Sequence, residues 1–141
     1  MDIHLGNTLC ERLDTHSFIL QLANGSTYLF DSGSEPQVDV WVRECNYWAA
    51  CETKIVSKSA EDAAASPWKR PPPPAGSSLL NKLQQQMAID AHLIYLQQEM
   101  SLHLLQQPGR WPAGNWQEKK MYLELELKKY EIYQQVILEH E

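Results

Sequence analysis

From residue 16 the chain alternates between polar and apolar positions. His16-Ser17-Phe18-Ile19-Leu20-Gln21-Leu22 puts Phe18, Leu20 and Leu22 on one face of a strand. Ala23-Asn24-Gly25-Ser26 follows, and its Asn-Gly pair suits a hairpin turn that needs positive φ. Thr27-Tyr28-Leu29-Phe30 then returns as a second strand, with Tyr28 and Phe30 sharing a face. Shorter strands are expected at Ile3–Leu5 and near Leu9–Leu13. The period changes after Ser32-Gly33-Ser34-Glu35-Pro36. Ser34 is a natural N-cap, and proline is tolerated in the first helical turn. Val38, Trp41, Val42, Cys45, Trp48 and Ala49 then recur every three or four residues, which predicts an amphipathic helix over residues 35–53. Trp41 and Trp48 lie seven apart on that stripe and are expected in a core with Phe18, Phe30 and Cys45. Trp41→Ala would then cost about 3–5 kcal/mol. Two or three strands cannot close a core over such a stripe, so the domain is expected to continue upstream of Met1.

Residues 55–78 lose all periodicity. Ser57–Ser66 is small and polar, and Pro67-Trp68-Lys69-Arg70-Pro71-Pro72-Pro73-Pro74 admits neither helix nor interior strand. Ser77 or Ser78 is placed to cap a helix starting near Leu79. Leu83, Met87, Leu93, Leu96, Met100 and Leu104 carry its apolar stripe through a glutamine-rich background to about residue 106. Pro108–Gly114 breaks it, and Asn115-Trp116-Gln117-Glu118 resembles a capping box. Leu123, Leu127, Tyr130 and Ile137 then mark a helix over residues 116–140. Two long helices joined by a short loop pack as an antiparallel hairpin. The fold class is therefore α+β: a partial antiparallel sheet with a C-terminal helix over 1–54, a proline-rich linker over 55–78, and a helical hairpin over 79–141.

Charge narrows the function. The chain carries a formal −6, and residues 1–54 hold eight carboxylates against Arg12, Arg43 and Lys54, a net −5. Such a field disfavours nucleic acid and any anionic bilayer that attracts by bulk charge alone. Cys10, Cys45 and Cys51 are odd in number and lack CxxC spacing, which fits free thiols in a reducing compartment. Met1-Asp2-Ile3-His4 opens no signal peptide, and the expected location is cytoplasmic, peripheral at most to membranes.

Catalytic chemistry finds little to stand on. His4, His16, His92, His103 and His140 lack zinc-ligand spacing and read as solvated or edge residues. No carboxylate sits isolated among apolar neighbours, no glycine-rich phosphate cradle is present, and nothing near Cys51 would activate it as a nucleophile. No cofactor, metal or catalytic residue is expected. Lys69, Arg70, Pro71 and Pro74 form a basic pair beside a polyproline run, the chemistry that SH3 domains read, although their place in a linker favours a stiff spacer.

Several of these pieces, in this order, resemble one family. His4-Leu5, His16-Ser17-Phe18, Tyr28-Leu29-Phe30, Trp41-Val42-Arg43-Glu44-Cys45-Asn46-Tyr47-Trp48-Ala49-Ala50, Trp68 with its proline run, Asn115-Trp116-Gln117-Glu118-Lys119, Tyr122-Leu123 and Lys129-Tyr130-Glu131-Ile132-Tyr133 are similar to segments of Arf guanine-nucleotide exchange factors. Those proteins carry a Sec7 domain, a pleckstrin-homology (PH) domain and a coiled-coil region. The resemblance implies the last part of a PH domain followed by its helical hairpin, without the catalytic Sec7 domain and without the first PH strands. It further implies a non-catalytic membrane-targeting or regulatory module, or else a protein-interaction scaffold that does not bind lipid. The implied partners are a phosphoinositide surface, engaged weakly by this stretch alone, and proteins bound through the hairpin or the proline-rich linker. Arf itself is implied only for full-length relatives. Where the family often has a Lys-Arg pair before its second quoted segment, this chain has Asp14 and Thr15, which weakens the lipid expectation further.

Overall fold

A computed structural model describes residues 5–22, 26–31, 33–55, 68–71, 74 and 76–140. The expected strand at Ile3–Leu5 falls largely outside them, as does the Asn24-Gly25 turn. Three strands, β1 (Leu9–Arg12), β2 (Ser17–Gln21) and β3 (Thr27–Asp31), form an antiparallel meander in the order β1-β2-β3. Register pairs Cys10 with Leu20, Phe18 with Phe30 and Leu20 with Tyr28. The period-two pattern thus places Cys10, Phe18, Leu20 and Phe30 on one face, and the Phe18 and Phe30 rings stack at 5.2 Å. Helix α1 (Glu35–Glu52) follows, then α2 (Lys82–Leu104), a 3-10 turn (Pro108–Arg110) and α3 (Asn115–Glu139). The architecture is α+β, as the alternation and helical periods indicate.

Helix α1 lies between sheet and hairpin. Its first half packs Val38, with Val42 and Cys45 beside it, onto Cys10, Phe18 and Leu20. Its last turns bury Ala49 and Ala50 among Ile89, Leu93 and Leu96 of α2 and Leu123, Tyr130, Tyr133, Val136 and Ile137 of α3. Alanines there let the helix axes approach closely, since no longer side chain holds them apart. The linker therefore does not separate two independent bodies. Hydrogen bonds reinforce the junction. Asn46 accepts from the Cys10 N–H at 2.8 Å and donates to the Cys10 carbonyl at 2.9 Å, pairing the outer edge of β1. Gln85 donates to the carbonyls of Ala50 and Thr53 at 2.8 and 2.7 Å, satisfying groups that the end of α1 leaves open. The Tyr133 hydroxyl donates to the Thr8 carbonyl.

Several expectations need correction. Trp41 and Trp48 are 53% and 51% exposed, so neither belongs to the core of this chain. The covered side of α1 is Val38, Val42, Asn46, Ala49, Ala50 and Thr53, and at about 100° per residue the two tryptophans fall on its flank. Asn46 takes the central place because the edge of β1 demands a donor and an acceptor there. Phe18 is buried, while Phe30 and Cys45 are half-buried. On α2, Leu83, Met87 and Leu104 face solvent, whereas Gln85, Glu99 and His103 are buried beside Ile89, Leu93 and Leu96. Each of these polar groups meets a specific partner, which periodicity alone does not reveal. The α2 cap is Asn81, which accepts from the Gln84 N–H at 2.8 Å while Gln84 reaches back to the Asn81 N–H at 3.1 Å; Ser78 instead donates to the Gln85 side chain at 2.6 Å. The residue before α3 is Gly114 in the left-handed region, which leaves Asn115 free for another role.

Replacing Gln85 by Ala strands two buried carbonyls and should cost about 2–4 kcal/mol in urea unfolding. Trp41→Ala, by contrast, should cost less than about 1 kcal/mol, well under the figure that a buried tryptophan implies. Equal midpoints for the two variants would show that the junction does not depend on Gln85.

Candidate interaction surface

Asn115 ties the proline-rich segment to the hairpin. Its side chain accepts from the Trp68 N–H and donates to the Trp68 carbonyl, both at 2.8 Å, so the amide pairs with the backbone as a neighbouring strand would. The Trp68 ring packs on Tyr122 at 5.2 Å, and the Arg70 guanidinium lies 5.6 Å from the same ring. Lys69 and Arg70 are exposed, and Pro71 and Pro74 are half-buried; Pro72 and Pro73 lie outside the described residues. The four candidate SH3-ligand residues are thus strung along a segment anchored to α3 at its tryptophan end. The pattern at Asn115 reads as a helix cap, and nothing in it signals a partner 47 residues away.

The cations on and beside β1 are already paired with carboxylates. Arg12 donates to Glu35 at 2.6 Å and to Asp39 at 3.1 Å, and its hydrogen bond to Glu35 chiefly holds it protonated. Lys128 pairs with Glu11 at 2.8 Å. Lys129 is buried and bonded to Glu126 at 3.1 Å; burial pulls its ammonium down and Glu126 opposes that shift. On the outer surface, Leu29, Trp41 and Trp48 are each more than half exposed. Among the described residues no cluster of side chains could hold a metal ion, and no helix is long and apolar enough to cross a membrane.

At the tip of the hairpin, His103 is buried rather than solvated. Its ring stacks on Trp116 at 4.8 Å and meets Trp111 edge-on at 5.1 Å. Nε2 donates to the Trp116 carbonyl at 2.9 Å, and Nδ1 has no hydrogen-bond partner among the described residues. A proton on Nδ1 would therefore be buried unpaired, and burial holds the imidazole below its ordinary range. Lys119 pushes the same way, while its buried partner Glu99, 3.6 Å from the ammonium, opposes it.

Residues 8–50 match the family model of the pleckstrin homology domain. The matched stretch spans β1, β2, β3 and nearly all of α1, and it supports a PH-type unit over those residues. No solved structure matches the chain.

Two predictions follow from these contacts. Asn115→Ala should free the segment from α3 and speed tryptic cleavage after Lys69 about tenfold, read by mass spectrometry of native digests. A histidine whose folded pKa is depressed stabilises fully above its unfolded value near 6.5, and that stability is lost as pH falls through the folded pKa. The urea midpoint should accordingly drop on acidification below about pH 6.5, and His103→Phe should flatten that part of the profile.

Proposed function

We propose that the chain is a non-catalytic, PH-type regulatory module of an Arf guanine-nucleotide exchange factor, and that by itself it engages protein rather than phosphoinositide. The PH match supports a membrane-targeting or interaction role in general. The choice between those roles rests on Arg12. A headgroup phosphate needs converging cations with unsatisfied donors. The guanidinium of Arg12 is already committed to Glu35 and Asp39, in a region of net −5. Releasing it for phosphate would expose two carboxylates to the same anion, so the exchange is unfavourable. Exposed Trp41 and Trp48 favour a protein surface, because large aromatics supply contact area at little entropic cost. The Arf setting rests on the order of the quoted segments, above all residues 41–50. In this reading the Sec7 domain of a full-length relative performs exchange, and the present residues position or regulate it.

Sedimentation with phosphatidylcholine vesicles, with and without phosphatidylinositol bisphosphate, tests the reading. The two pellets should contain equal amounts of protein at physiological salt. Headgroup-dependent binding that Arg12→Glu abolishes would overturn it in favour of membrane targeting.

A further inference from the structure

Cys10 and Cys45 meet at the joint between β1 and α1. The alternation of β1 turns the Cys10 side chain to the face shared with Phe18, Leu20 and Val38, where it is 2% exposed. Asn46 grips both backbone polar groups of Cys10, at 2.8 and 2.9 Å, which holds that turn of α1 directly over residue 10. Cys45, one residue earlier, packs half-buried against the same cluster. Both are free thiols. Cys51 lies elsewhere, against the cluster shared with the hairpin.

We propose that Cys10 and Cys45 are a peroxide-responsive dithiol, with Cys45 as the attacking thiol and Cys10 as the resolving one, whose disulfide staples the sheet to α1. Accessibility sets the order, because hydrogen peroxide reaches the half-buried Cys45 before the covered Cys10. The Cys45 thiolate attacks one peroxide oxygen, the O–O bond breaks, and the departing hydroxide takes a proton to leave water and a Cys45 sulfenic acid. Cys10 sulfur then attacks Cys45 sulfur. An S–S bond forms, the S–O bond breaks, and hydroxide leaves with the Cys10 proton as a second water. Two thiols lose two electrons and one peroxide gains them. Exchange with an external dithiol reverses the step. The thiol contact favours this division of labour: the hydrogen bond from Cys10 brings Cys45 down to about 7, while that same contact and burial push Cys10 up. Burial and Glu44 oppose the shift at Cys45 without reversing it, and Glu11 adds to the rise at Cys10.

Oxidation closes a loop around β2 and β3 and removes freedom from the unfolded chain. The thermal midpoint should rise by roughly 5–10 °C on oxidation and return on reduction. The decisive experiment treats the folded full chain with hydrogen peroxide at neutral pH, blocks remaining thiols with iodoacetamide, and maps peptides without reduction. A Cys10–Cys45 peptide with alkylated Cys51 is expected, reversed by dithiothreitol and unchanged in Cys51→Ser. Cys10→Ala should instead accumulate a Cys45 sulfenic acid that dimedone traps. The proposal is overturned if Cys45 proceeds to sulfinic acid in the unsubstituted chain without the linked peptide. It is equally overturned if the link appears only in urea, or if Cys51 pairs as readily as Cys10. Because the unsubstituted protein supplies the primary readout, a misfolded variant cannot mask the answer.

Discussion

Helix α1 has to satisfy two cores at once. Eighteen residues give it a sheet-facing end, built on Val38, and a hairpin-facing end, built on Ala49 and Ala50, all three with no exposed surface. The sheet covers only the first half of α1, and the hairpin takes its last turns into the groove between its two helices. Small residues at positions 49 and 50 let α1 fill that groove, and Gln85 closes the helix end that would otherwise be buried with open carbonyls. Further side-chain bonds join elements far apart in sequence: the Asn7 N–H donates to Thr53 at the end of α1, and Tyr133 and Lys128 of α3 donate directly to Thr8 and Glu11.

This arrangement explains which parts of the fold the sequence discloses. Strand alternation at Phe18 and Leu20, and the breaks at Pro36 and Pro108–Gly114, are local signals, and the elements they mark lie within a few residues of expectation. Facing is not local. Trp41 and Trp48 share a helical stripe with Val38 and Cys45, yet the burying surface comes from two directions and selects a neighbouring stripe that includes Asn46. Hydrophobicity ranks tryptophan above asparagine, but it says nothing about an unpaired strand edge that needs both a donor and an acceptor. The same reasoning covers α2, where Gln85, Glu99 and His103 displace Leu83, Met87 and Leu104 from the interior. Polar residues occupy these places because backbone carbonyls and Lys119 already wait there.

The candidate interaction residues were partly legible. The basic pair beside the prolines at 69–74 is a composition signal, and the anchoring of the segment through Asn115 and Tyr122 is not. Likewise, the acidity of residues 1–54 is plain from the sequence, whereas the commitment of Arg12 to Glu35 and Asp39 requires the turn of α1 to arrive beside β1. That closure turns a general electrostatic bias into a specific argument against a phosphate site on this strand.

Hydrogen exchange on the unsubstituted protein, followed by mass spectrometry across a urea series, tests the shared helix most directly. If α1 couples sheet and hairpin, amides in β2 around Phe18–Leu20 and amides in α3 around Tyr130–Ile137 should converge on one opening free energy and one dependence on urea. Two separate free energies, with α1 exchanging alongside only one partner, would contradict the account and return the chain to a sheet and a hairpin joined by a linker.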